Sequence, residues 1–141
     1  MKEFFDTSVF IAAFQGDHAQ HEPSLRLLAA ANKKHSAGAV HSLAEVFSVM
    51  SVLPVKPVIP AEQVLLFLHE IRERCTLITL DEAEYFETIQ RTAEQGFVSG
   101  RVYDALLLRC AAKAKAETIY TWNVKHFQAL APELAGRICT P

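Results

Sequence analysis

Asp6 in FFDTSVF, Glu45 in SLAEVFS and Asp104 in VYDALLLR are carboxylates far apart in the chain, and Asn123 in TWNVKHF adds an amide. Each falls where a short strand-like run gives way to a helical pattern. In an open parallel sheet, the strand ends and the first turns of the following helices converge on one crevice. Carboxylates gathered there repel one another unless a divalent cation neutralises them. Residues of these types at these places read as an oxygen-ligand metal site.

Each position also has a purely structural reading. Asp6 closes the run EFFD and precedes Thr7, Ser8 and the apolar Val9–Phe14, so it can serve as an N-cap. As a crevice residue, it would have the Thr7 and Ser8 hydroxyls beside it to orient it or to assist a ligand. Ser42-Leu-Ala-Glu45 fits the capping box S-x-x-E, which would occupy both polar side chains. Asp104 lies in line with Leu107, Leu108 and Ala111, at i+3, i+4 and i+7. A carboxylate on such an apolar stripe is desolvated unless it is paired or bound to a cation. Against that, a helix start favours negative charge, and Arg101 stands nearby as a partner. Asn123 would cap the short helix that follows it.

The elements that must position these residues alternate along almost the whole chain. Strands are expected at Glu3–Asp6, Ala37–Val40, Thr76–Leu80, Thr118–Thr121 and Arg137–Cys139. Helical spacing marks Pro23–Lys33, Ser42–Leu53, Ala61–Arg74, Glu82–Gln95 and Val102–Ala114, with a shorter helix after Asn123. Asp81 precedes an acidic first turn, Gly96 follows a last turn, and Pro60 opens a helix. The segment Pro54–Pro60 carries three prolines and joins two helices without regular structure. Mostly βα order favours a parallel sheet covered by helices on both sides. Residues 1–141 are long enough to bury a core and read as one α/β domain.

Composition removes several alternatives. A net charge of −2 and a pI near 6.3 give no global basic field for non-specific DNA binding, although a local basic rim can still hold phosphates. Cys75, Cys110 and Cys139 are isolated, with no Cys/His ligand spacing, which argues against zinc and for a reducing cytosol. MKEFFDTSVF lacks the basic segment and long apolar run of a signal peptide, and no apolar run reaches membrane-spanning length. A cytoplasmic protein without a membrane partner is the expectation. There is no GxxxxGK[ST], GxGxxG or GxSxG pattern, and Ser8 stands where a phosphoaspartate phosphatase would need a second acid.

The motifs DTSVFIAAF, EVF, YDALLL and TWNVKHF, in that order over essentially the full length, resemble the PIN domain, particularly the VapC-type toxins of toxin–antitoxin pairs. The resemblance implies a three-layer α/β/α Rossmann-like fold with a central parallel sheet, and a magnesium- or manganese-dependent endoribonuclease. Asp6, Glu45 and Asp104 match its three core acids and would hold the metal. Asn123 matches the fourth site position, where aspartate is frequent. Thr7 and Thr121 match accompanying hydroxyl positions; with Arg101 and Lys125, which flank two motifs and are placed to contact phosphates, they form the expected substrate-binding set. Trp122 or Tyr103 would stack on an unpaired base if not committed to core packing, and His126 would touch substrate if not on a solvated helix face. The resemblance further implies an RNA substrate, a homodimer and a protein antitoxin whose tail blocks the acidic site. An amide at position 123 should weaken the binding of a second metal more than that of the first. It also keeps open an alternative: a non-catalytic PIN-like module that binds RNA or protein.

Overall fold

Consecutive residues of a strand point to opposite faces. Phe4 and Phe5 are both fully buried, so the strand that carries them is covered on both sides. This strand lies at the centre of the structure, a computed structural model that describes residues 1–141. The sheet comprises β1 (Glu3–Phe5), β2 (Ser36–Ala39), β3 (Thr76–Ile78), β4 (Thr118–Tyr120) and β5 (Ile138–Cys139), all parallel, in the order β3-β2-β1-β4-β5.

Phe5 faces a core formed with α1 (Thr7–Phe14), α2 (His21–Ala30), α3 (Val40–Met50) and α4 (Ala61–Arg74). Phe4 faces a second core with Ala37, Ala39 and Ile119, closed by α6 (Arg101–Lys113) and α7 (Val124–Leu130). Helix α5 (Glu82–Glu94) packs along α6, and a 3-10 turn at Pro132–Arg137 leads into β5. The result is the expected three-layer α/β/α arrangement. At Gly38, an added Cβ would stand 3.1 Å from Cζ of Phe10 and 3.2 Å from its Cε2. Only glycine lets the Phe10 ring press this closely on the sheet.

Strand order fixes where the crevice opens. The chain runs from β1 outward through β2 to β3, then returns to the other side of β1 for β4 and β5. The two directions part between β1 and β4, and ligand crevices form beyond the carboxyl ends of strands at such a switch point. Phe5 pairs with Tyr120 there, and the Asp6 N–H donates to the Tyr120 carbonyl at 3.0 Å. Asp6 and Thr121, the next residues of each strand path, meet at the mouth of the crevice.

Two helices, not one, fill the path from β1 to β2. The expected helix Pro23–Lys33 is observed as His21–Ala30, and α1 begins directly after Asp6. Helix α1 buries Thr7, Val9, Phe10, Ala12 and Ala13. A helix covered on most sides has little polar face and so lacks a readable 3.6-residue period. Pro23 sits in the first turn of α2, where a missing N–H breaks no helical bond. Asn32 accepts the Lys34 N–H at 3.0 Å, a local turn that replaces further helix. Strand β3 stops at Ile78, short of the expected Leu80. Pro54–Pro60 is irregular and joins α3 to α4, as its prolines require.

Candidate active site

Asp6 is buried at the N-cap position of α1, but its carboxylate makes no capping bond. Its Oδ2 instead accepts from Ser8 Oγ at 2.7 Å and from Thr121 Oγ1 at 2.8 Å. Each hydroxyl is itself aimed by a backbone donor: Trp122 N–H donates to Ser8 Oγ and Asn123 N–H to Thr121 Oγ1, both at 3.0 Å. A hydroxyl has one hydrogen, so an N–H on its oxygen directs that hydrogen to the carboxylate. The turn between β4 and α7 is thereby clamped to Asp6. Burial raises the Asp6 carboxyl above the ordinary aspartate range, and the Ser8 and Thr121 bonds offset part of that rise.

The capping-box reading of Ser42 and Glu45 does not hold. Helix α3 starts at Val40, two residues earlier than expected, so both residues lie inside the helix and neither caps it. The buried Ser42 Oγ lies 2.8 Å from Thr7 Oγ1, which donates to Glu45 Oε1 at 2.9 Å. Thr7 spends its one hydrogen on Glu45, so Ser42 donates to Thr7. Burial raises the Glu45 carboxyl; the Thr7 bond and His41 oppose the rise, and Asp6 adds to it.

Asp104 has no hydroxyl to hold it. It sits in the first turn of α6 above Leu107, Leu108 and Ala111, all buried. Burial, then Asp6, then Glu45 push its carboxyl up to about 7, and Arg101 is the group that opposes them. The Arg101 guanidinium does not close on it as an ion pair. It lies over the Phe97 ring, 5.4 Å from the centroid, with a buried Nη1 that has no hydrogen-bond partner. The mutual influence of Asp6, Glu45 and Asp104 puts the expected acids around one crevice.

Those acids do not form a closed cage: no three Asp, Glu, His or Cys side chains gather around one point at ligand distance. Mg²⁺ usually keeps several waters and takes only one or two carboxylates directly. An open set of penalised carboxylates, two of them with one oxygen held by hydroxyls, fits such a hydrated ion. Asn123 is exposed, and its side chain caps nothing. Its backbone N–H, rather than its amide, connects it to the acids. Lys125 and His126 are exposed on α7. Trp122 is committed to structure: Nε1 donates to the buried Ser24 Oγ at 2.8 Å, and the ring packs on the α1–α4 core.

Sequence reasoning passed over His41. Its Nε2 lies 3.8 Å from Glu45 Oε1, and its ring stacks on Tyr103. The available signal was the His41–Glu45 i,i+4 spacing, legible only once Glu45 is placed inside a helix rather than at its start.

A chain of VapBC2 from Rickettsia felis, solved bound to a DNA fragment from the promoter, has the same fold: TM-score 0.59, 24% identity, covering 89% of this chain and 90% of that one. No match was found among curated proteins. The PIN domain family model matches residues 4–131, from β1 through the end of α7. A match over residues 4–131 of 141 makes this chain a member of the PIN domain family.

Proposed function

We propose that this chain is a divalent-metal-dependent endoribonuclease, the VapC-type toxin of a toxin–antitoxin pair. The observation that carries the reading is the group of Asp6, Glu45 and Asp104 at the β1/β4 switch point, where each carboxyl is raised and Asp104 reaches about 7. Buried acids that disfavour one another's charge call for a cation. Bound there, Mg²⁺ or Mn²⁺ would neutralise charge developing on the phosphate and acidify water for hydrolysis.

The chain's own residues prepare that site in different ways. Ser8 and Thr121 fix Asp6, and Thr7 fixes Glu45, so two ligands are oriented before any ion arrives. Asp104 is free to adjust, and it keeps its proton up to about pH 7. Cation loading must displace that proton and therefore weakens as the pH falls below 7. Asn123 leaves the crevice about one charge short of a four-acid set, which favours one ion over two. Lys125 and Arg101 supply phosphate contacts at its edge. Thr7 and Thr121 act on RNA through the carboxylates they orient.

The family and the likeness to a chain of VapBC2 support an antitoxin partner, and a homodimer is the proposed assembly. The test is RNA cleavage by wild type, Asp6→Asn and Asp104→Asn proteins with Mg²⁺, Mn²⁺ or EDTA. Cleavage by wild type with metal, lost in EDTA and in both variants, is the expected result. Intact RNA throughout, from folded protein freed of any partner, overturns the reading in favour of a binding module.

A further inference from the structure

Two residues of the acidic crevice have aromatic neighbours whose side chains make no hydrogen bond to its acids. On α3, His41 precedes Glu45 by one turn; on α6, Tyr103 immediately precedes Asp104. The His41 and Tyr103 rings meet face to face between these helices, with centroids 5.4 Å apart and planes 11° from parallel. That separation in near-parallel rings is an offset stack. Tyr103 nevertheless remains 50% exposed, whereas Trp122, the other aromatic close to the acids, has its N–H taken by Ser24. A cleft of about 360 Å³ opens against the stack, lined by His41, Ala44, Glu45, Ser48, Val49 and Tyr103. Its volume lies at the small end of ligand pockets, roughly 300–1,000 Å³. Glu45 belongs to both the cleft and the crevice, so whatever occupies one adjoins the other.

An RNA strand crossing this crevice meets carboxylates, and a net charge of −2 offers it little general attraction. Beyond the few phosphate contacts of Lys125 and Arg101, affinity needs a source independent of charge. Stacking of an unpaired base on an aromatic ring is such a source and tolerates any base. We propose that the His41–Tyr103 stack is the platform of a nucleobase subsite, on which one unpaired base of the RNA rests beside the Asp6–Glu45–Asp104 crevice; the inference rests on the ribonuclease reading above. Ala44 and Val49 give the cleft apolar walls, and Ser48 supplies a hydroxyl at its edge. His41 acts as a positioning residue, holding the Tyr103 ring in place from beneath.

The probe is a set of short unstructured RNAs, each with 2-aminopurine at one position, titrated against Asp6→Asn protein, in which cleavage is silenced. Stacking on the platform quenches the fluorescence of one position. Adding Tyr103→Ala is expected to abolish that quench and weaken binding about tenfold, the effect of losing one stacked base. Tyr103→Phe retains both, and Tyr103→Leu, which keeps the apolar bulk, behaves like the alanine variant. Circular dichroism verifies the fold of each. No quenched position, or a quench that survives both Tyr103→Ala and Tyr103→Leu, overturns the subsite. So does a loss of self-association in Tyr103→Ala, which assigns the face to a second copy. Wild-type cleavage of the same RNAs in Mg²⁺ is scored separately. Cleavage without quenching removes the subsite alone; quenching without cleavage keeps the subsite and removes the nuclease.

Discussion

Asp104→Asn should stabilise this protein in the absence of divalent metal, and increasingly so as pH rises. The unfolded chain releases the Asp104 proton near the ordinary aspartate value of about 3.9. The folded protein holds it up to about 7, because burial and the neighbouring Asp6 and Glu45 disfavour the charge. Between those values the folded state binds more protons than the unfolded state, so stability falls as pH rises through the window. Above about 7 the whole penalty is present; below about 3.9 it is gone. A gap of about three pH units corresponds to about 4 kcal/mol at about 1.36 kcal/mol per unit. Asp104 is only partly buried, and solvent screening brings the figure to about 2 kcal/mol.

Asparagine keeps the side-chain shape and cannot ionise. Its melting temperature in EDTA should exceed that of wild type by about 8 °C at pH 8, taking about 4 °C per kcal/mol at this chain length. The difference should narrow steadily toward pH 5. Differential scanning calorimetry over that range measures it directly. Adding Mg²⁺ at pH 8 should raise the wild-type midpoint and leave the variant nearly unmoved, because the ion relieves a repulsion the variant has already lost. A difference that does not change with pH, or a variant less stable than wild type at pH 8, would refute the assignment of Asp104 to a repulsive cluster.

Three further substitutions follow from the same contacts. Thr121→Val removes a hydroxyl that donates to Asp6 and accepts from Asn123 N–H, so it should cost about 1–2 kcal/mol and weaken Mg²⁺ binding several-fold by calorimetric titration; unchanged affinity would count against Thr121 as the group that orients Asp6. Gly38→Ala should destabilise by about 1–3 kcal/mol in urea, because the new methyl meets the Phe10 ring at 3.1 Å, and Phe10→Leu in the same chain should recover part of the loss. Trp122→Phe, which leaves the buried Ser24 hydroxyl without its donor, should cost about 1–2 kcal/mol in the same urea titration without changing pH dependence; a pH-dependent loss would instead link Trp122 to the acids.

The strands and most helices were legible because their apolar runs are short, buried and bounded by turn residues. Helix α1 was not, since a segment that buries Thr7, Val9, Phe10, Ala12 and Ala13 shows no polar face to set its period. The acids were legible as types at strand ends, and Asp104 was conspicuous as a charge on an apolar stripe. Their supports were not. Ser42 and Glu45 satisfy a local capping pattern in the sequence, yet a helix that starts two residues early turns both toward Thr7, 35 and 38 positions away. A local motif describes only what is available nearby; the long-range partner decides when burial makes its hydrogen bond worth more. The His41–Tyr103 stack lies beyond sequence reading for the same reason, since 62 positions separate rings that only the α3–α6 juxtaposition brings together.

The distribution of hydroxyls around the acids carries its own logic. Asp6 is held by two, Glu45 by one and Asp104 by none. Every hydroxyl donor favours the charged form of its carboxylate and limits its movement. The crevice is therefore graded from a rigid, supported acid at the strand end to an unsupported one on α6. Two of the supporting hydroxyls, Ser8 and Thr121, are aimed by N–H groups of the β4–α7 turn. Residue 123 thus reaches Asp6 through its backbone N–H and the Thr121 hydroxyl, a contact that asparagine makes as well as aspartate. A fourth carboxylate at that position would add repulsion to an acid that already titrates near neutrality. An amide there lets the turn fasten Asp6 while adding no charge to the crevice, which accounts for Asn123 without requiring it to touch a metal.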